Sequence, residues 1–274
     1  MIKMIALDLD GTVLTSENEV SKSTVQAVWA AHEQGIRVVV STGRNYSNAK
    51  HVIDKLGVCE FVSVCNGALV LDLKNNRTIF RNSIRQEDIR ILLPMLDLPD
   101  IFFQLYIGGE NYRDERLDKL YFHYFPARSD SDRKAHVVPD IRKYLLYPAA
   151  DTDVNVDKIF VHCPNAALLG RLREKVSSVK TVHLTSSNPQ NFEVTNFGIT
   201  KAVGMERLCL HLGISKEDVL AIGDSENDLD MLRYVGVSVA MGNAAEYVKQ
   251  CTDYITRTND EDGVAYAIRH FLGK

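Results

Sequence analysis

The chain has 274 residues, 45% of them hydrophobic and 25% charged, the proportions of an ordinary globular protein with room for one large or two modest domains. Lysine and arginine total 32 against 36 acids, a net charge of −4 with a pI near 6.1, which argues against a nucleic-acid binder. No run reaches the roughly 18 apolar residues of a membrane span, and Asp8 and Asp10 break the apolar N-terminus too early for a secretion signal.

Residues 4–9 read as a strand. Residues 24–34 read as a helix capped by Ser21 or Ser23 and ended by Gly35, with Val25, Val28, Trp29 and His32 on one face. The β-branched run 36–40 is a buried strand, 45–56 a helix stopped by Gly57, and 61–65 a strand running into the Asn66-Gly67 turn. Strands alternating with helices predict βαβ units and a parallel sheet. From about 84 to 189 the pattern changes. A helix is expected at 86–96, a half-exposed strand at 102–107, helix or strand at 117–125, a strand at 159–163 and a helix at 166–176. Residues 181–184 and 192–195 read as paired strands. The α/β rhythm then returns, with helices at 201–212, 228–234, 244–250 and 264–271 and strands at 219–222, 237–240 and 254–256. The expected organisation is an α/β core in two parts, 1–83 and 190–274, interrupted by an α+β domain at 84–189.

Four strand ends and helix starts carry chemistry. Leu7-Asp8-Leu9-Asp10-Gly11-Thr12 places two acids where an apolar strand ends. Ligands of open α/β sheets bind at that edge, and residues two apart in an extended chain point the same way. Paired carboxylates repel unless a cation such as Mg2+ lies between them. A simple Asp-Gly turn is the plain alternative. Ser41-Thr42-Gly43-Arg44 offers a hydroxyl and a glycine to an anion, or merely a loop. Lys201 opens a helix, where a phosphate meets both an ammonium and free N–H groups, unless it is a solvated surface charge. Gly223-Asp224-Ser225-Glu226-Asn227-Asp228 puts further acids at another strand tip, or supplies a helix cap.

The order acidic pair, Thr-Gly, Lys, acidic cluster resembles the haloacid dehalogenase superfamily. Residues 222–231, the stretch from Val239 to Ala244, Asn259 to Gly263 and the Asn66-Gly67-Ala68 turn resemble its Cof-type (IIB) sugar-phosphate phosphatase branch. The resemblance implies a Rossmann-like doubly wound core with an inserted α+β cap of the C2B type. It implies a Mg2+-dependent phosphatase of small phosphorylated metabolites. Asp8 would be the nucleophile and Asp10 the acid and base. Mg2+ would sit on Asp8, the Leu9–Asp10 region with the Asp10 carbonyl, and Asp224, with Ser225 nearby. Leu9, Thr42, Gly43, Lys201 and Asn227 would bind phosphate or substrate, and Asp228 would orient Lys201 or a metal-bound water. An acid at position 10 points to ester hydrolysis or to a phosphomutase; a phosphate-sensing protein that has kept the fold is the alternative outside enzymes. Specificity would fall to the cap, where Tyr106, Tyr121, His123 and His183 are candidates.

Other motifs are missing. The eight histidines show no HExxH spacing, and neither GxxxxGK[ST] nor GxGxxG occurs. The five cysteines form no CxxC pair and read as reduced thiols of a cytoplasmic protein. No membrane and no obligate protein partner is expected.

Overall fold

The computed structural model describes residues 1–126, 135–148 and 154–273. The core sheet is built from β1 (Met4–Leu7), β2 (Arg37–Ser41), β3 (Phe61–Val64), β4 (Leu69–Asp72) and β5 (Arg77–Arg81). Three more strands return from the C-terminal part: β12 (Val219–Gly223), β13 (Val237–Ala240) and β14 (Tyr254–Ile255). Their order is β14-β13-β12-β1-β2-β3-β4-β5. The run from β14 to β3 is parallel, and β4 and β5 close one edge as an antiparallel hairpin.

Strands in such a sheet are apolar at every position because both faces are covered. Ile5 and Leu7 enter a cluster with Val28 and Val52 from helices Lys22–Glu33 and Tyr46–Leu56, and with Ile268 from helix Gly263–Leu272. The alternate residues Met4 and Ala6 point the other way, onto Met205 and Leu208 of helix Lys201–Leu212 and Met231 of helix Leu229–Tyr234. Ser21 caps the first helix by accepting the Thr24 N–H. That helix buries Thr24, Ala27, Val28 and Ala31 rather than the expected Trp29 and His32. The buried stripe consists of the small side chains because the helix lies close against the C-terminal one, and Trp29 is left 45% exposed beside Gly57.

The inserted domain has its own sheet. It contains β6 (Phe102–Ile107), β7 (Glu110–Asp114), β8 (His136–Val138), β9 (Val156–His162), β10 (Val182–Thr185) and β11 (Asn191–Asn196), in the order β10-β11-β9-β6-β7-β8. One face packs on helices Gln86–Leu96 and Ala166–Ser177 through Ile89, Leu92, Leu169 and Leu172. Because β11 pairs with β9 and β10, this sheet runs on to Asn196 and does not end at 189. The expected break fell too early: it separated the two stretches that the sequence already pairs, 181–184 and 192–195, and β11 alternates apolar and polar residues as the other cap strands do rather than running apolar like a core strand. β6 is buried at every position, not half exposed. Its second face looks onto the core, not onto water.

The two connections lie side by side. Asn196 donates from its side-chain amide to Asn82 Oδ1 at 2.5 Å. Asp157 gathers the first connection by accepting from Arg81 Nε at 2.7 Å, Ser83 Oγ at 2.8 Å and the Gly108 N–H at 2.7 Å. Among the described residues no helix is long and apolar enough to cross a membrane, and all five cysteines are free thiols.

Candidate active site

The carboxyl ends of β1, β2, β3 and β12 converge under the second face of the cap sheet. Asp8 follows β1 in extended conformation, its N–H bonded to the Ile222 carbonyl at 3.1 Å. This bond extends the β1–β12 ladder by one residue and leaves Asp8 at the sheet edge, 4% exposed. Lys201, at the start of its helix, donates to Asp8 Oδ1 and to Asp228 Oδ1, each at 2.6 Å. It is 1% exposed, so the alternative of a solvated surface charge is excluded.

Asp228 is fully committed. Its Oδ2 accepts the N–H groups of Asp224 at 3.0 Å and Ser225 at 3.1 Å. Both the capping reading and the acidic-cluster reading of this stretch hold, because the side chain that caps the turn also holds Lys201. Asp224 accepts from Thr12 Oγ1 at 3.0 Å. It lies against Gly11, whose φ of +75° and lack of Cβ are both required: a Cβ there would stand 2.5 Å from Asp224 Oδ2. Carboxylate oxygens of Asp8, Asp224 and Asp228 lie within 4.8 Å of one another.

This crowding sets the electrostatics. Burial pushes the Asp8 carboxyl well above its ordinary range, Asp228 adds to it, and Lys201 opposes it. Burial, then Asp228, pushes Asp224 up to about 7. Burial works against the Lys201 ammonium, but Asp228 and Asp8 hold its pKa above the ordinary lysine value. Lys201 is one cation against a cluster of acids, and the donor set fits a further hard cation. Asp8 and Asp224 retain oxygens for it; Asp228 does not.

The other expected residues fall into place unevenly. Thr42 is 1% exposed, and its Oγ1 accepts the Arg44 N–H at 3.1 Å. Gly43, Ser225 and Asn227 line the same cavity as Asp8 and Asp10, a space of about 170 Å³ beneath the cap. Leu9 has its side chain wholly in the hydrophobic core, so only its main chain is available to a ligand. The Ser225 hydroxyl is turned into its own loop, donating to Asn227 Oδ1 at 2.8 Å, so it is not presented to a metal. Asp10 is half exposed and held by Arg44, with Nε to Oδ2 at 2.9 Å and Nη2 to Oδ1 at 2.7 Å.

Beyond its place in the Ser-Thr-Gly-Arg stretch, the sequence marks Arg44 with no role. It is 8% exposed and lines the cavity. On the cap side, strand register puts one row of side chains over the site: Tyr106 opposite Lys158, and Gln104 opposite Phe160 opposite Glu193. Of the four cap candidates, Tyr106 and Tyr121 line the cavity. His123 is exposed, and His183 lies beside Lys201 and Asn227 in a separate cleft.

Comparison with known proteins agrees with this architecture. The haloacid dehalogenase-like hydrolase family matches residues 5–268. The chain belongs to that family. The 5-amino-6-(5-phospho-D-ribitylamino)uracil phosphatase YcsE of Bacillus subtilis is 32% identical over 99% of this chain and 96% of its own. A haloacid dehalogenase-like hydrolase structure from B. subtilis superimposes with a TM-score of 0.87 at 29% identity, covering 99% of this chain and 100% of that one. The HAD subclass IIB sugar phosphatase BT4131 shares the whole fold, cap included, with a TM-score of 0.81 over 98% of this chain and 99% of its own; at 24% identity that likeness carries the fold. The hydrolase is therefore a phosphatase of phosphate monoesters built on the doubly wound core with an inserted α+β cap.

Proposed function

We propose that this phosphatase is Mg2+-dependent and hydrolyses small phosphorylated metabolites, sugar or polyol phosphates foremost, through an aspartyl-phosphate on Asp8. The observation that carries the reading is the Asp8–Lys201–Asp228 array with Asp224 beside it, of which Asp8 opens onto a polar cavity under the cap. Lys201 holds Asp8 Oδ1 and leaves Oδ2 to attack phosphorus. The new O–P bond forms as the ester P–O bond breaks, and Asp10 gives its proton to the leaving oxygen. Water then attacks the same phosphorus, Asp10 takes its proton, and the Asp8–phosphorus bond breaks. Thr42, Gly43, Lys201 and Asn227 surround the phosphoryl oxygens, where positioning and charge neutralisation supply most of the catalysis.

Mg2+ held by Asp8, Asp224 and the main chain at Asp10 would neutralise charge between the substrate and the nucleophile. Asp10 starts from its clamp with Arg44, and the acid role requires that clamp to open. The cavity is narrow, and its polar groups, Asn48, Gln104 and Asn191, suit hydroxyl-bearing substrates. A phosphorylated ribityl chain of the kind named for YcsE belongs in that class. A phosphate-release screen over sugar, polyol and nucleotide monoesters tests the reading. Turnover confined to non-polar esters, or none at all, overturns it; a requirement for a bisphosphate activator would instead mark a mutase.

Two outcomes follow here. Asp10→Asn removes both proton-transfer roles and is expected to slow phosphorylation by alkyl phosphates about 10²–10⁴-fold. The loss should be smaller with a nitrophenyl ester, whose leaving group needs less protonation. Equal losses in single-turnover assays would remove Asp10 from the acid role.

EDTA is expected to abolish turnover and Mg2+ to restore it. Because Asp224 must lose its proton to bind a cation and its pKa stands near 7 without one, the rise in melting temperature on adding Mg2+ should be larger at pH 8 than at pH 5.5. The same rise at both pH values would contradict the assignment.

A further inference from the structure

We propose that Lys158 and Glu193, on the cap, are positioning residues for phosphoryl transfer: their buried ion pair sets the loop after β2 that presents Thr42, Gly43 and Arg44. The inference rests on the phosphatase reading above and adds residues to which neither the motif pattern nor the family match assigns a role.

Lys158 is wholly buried and Glu193 is 3% exposed. A buried ammonium is costly unless its protons are satisfied. Lys158 Nζ donates to Glu193 Oε1 at 2.6 Å and to the main-chain carbonyl of Gly43, and it stands 4.7 Å from the centre of the Tyr106 ring. Glu193 Oε2 accepts from Asn66 Nδ2 at 2.6 Å, and Asn66 Oδ1 accepts from Asn227 Nδ2 at 3.3 Å. One continuous polar chain thus runs from two cap strands to the loops after β2, β3 and β12. The loops after β2 and β12 carry the proposed phosphate ligands Thr42, Gly43 and Asn227.

Stability does not account for it. An apolar pair of similar volume at such a place is often as stable or more so. What the ion pair adds is direction. A trans peptide points its carbonyl and the next N–H to opposite sides. Holding the Gly43 carbonyl on the cap side therefore sends the Arg44 N–H back to Thr42 Oγ1. The same residue, Arg44, carries the fork that grips Asp10. Gly43 sits directly under this chain of side chains: a Cβ there would lie 2.9 Å from Asn66 Oδ1 and 3.3 Å from both Asn227 Nδ2 and Glu193 Oε2. In this proposal the phosphate loop owes its shape to the cap seated on it.

The test is a set of variants, Lys158→Met, Glu193→Gln, their combination and Lys158→Arg, assayed well below each melting temperature. Substrates are nitrophenyl phosphate and several sugar phosphates. Lys158→Met should lower kcat about 10–100-fold on every ester. KM should move less than about threefold, and the substrate ranking should hold. The combination should be no worse than the worse single variant, since the pair acts as a unit, and Lys158→Arg should recover part of kcat. Unchanged kcat with a lower melting temperature would reduce the pair to cap packing. A reordered ranking would make it a substrate contact. Either result overturns the proposal. Amide hydrogen exchange of the peptide spanning 42–48 is read alongside. It should quicken in Lys158→Met, and equal exchange in that variant and the parent overturns the proposal even if the parent proves to hydrolyse no ester, the result that would sink the phosphatase reading instead.

Discussion

Asp8→Asn is expected to lower kcat on the order of 10⁴–10⁶-fold, the scale on which nucleophile removal acts in enzymes with covalent intermediates. The amide keeps the shape and can still accept from Lys201, so the array should persist. What disappears is the charge that attacks phosphorus. The stability readout separates this from misfolding. The folded Asp8 carboxyl sits well above its ordinary pKa, chiefly through burial and then Asp228. Over the pH range between its unfolded and folded values, the folded state binds more protons than the unfolded one, so rising pH removes stability. An asparagine carries no such cost. In EDTA at pH 8 the variant should therefore melt at or above the parent temperature while being inactive. More than a tenth of the parent kcat would show that Asp8 is not the nucleophile. A large fall in melting temperature would show that its charge supports the fold.

Lys201→Met should do the opposite to stability. It leaves Asp8 and Asp228, both buried, without their shared ammonium. Breaking a buried ion pair by removing one partner costs about 3–5 kcal/mol. Asp8, raised by burial and then by Asp228, loses the Lys201 charge that opposes them, so the deficit against the parent should widen from pH 5 to pH 8. Activity should fall about 10²–10³-fold, by a similar factor for every ester, because in the proposed mechanism Lys201 meets the phosphoryl group and Asp8 rather than the rest of the substrate. Chemical denaturation at the two pH values and a substrate panel check both parts. A variant as stable as the parent at pH 8 would mean that the ammonium does not offset the acids. A changed substrate ranking would place Lys201 in specificity.

The core was legible because its signals are local. The runs Met4–Leu7, Arg37–Ser41 and Val219–Gly223 are apolar at nearly every position and end in Asp8, Thr42 and Asp224. A parallel sheet needs no more than this to bring those tips together. The hairpin of β4 and β5 was missed: Leu69–Asp72 is short, and Arg77–Arg81 is polar as an edge strand should be. The cap's contribution was illegible for a different reason. Lys158 follows the acid Asp157 and stands just ahead of the strand expected at 159–163, like a solvated charge, and Glu193 between Phe192 and Val194 looks like the outward residue of an alternating strand. Only the register of β9 with β11 and the docking of that face on the core turn them inward. Arg44 was similarly hidden, since an arginine after a Ser-Thr-Gly turn looks solvated until the helix from Tyr46 and the Asp10 turn close around it.

The hydrogen bond between Asn82 and Asn196 bears on the history of such chains. The inserted domain leaves the core and re-enters it at neighbouring points. To the core, everything between those points is a single surface excursion whose ends already meet. The entropic cost of lengthening an excursion grows only with the logarithm of its length, so the core is nearly indifferent to what occupies it. A lineage could lengthen, trim or replace the cap while the strand tips stayed in register. Diversification would then act on the inserted domain, with the strand tips and the residues they carry inherited intact.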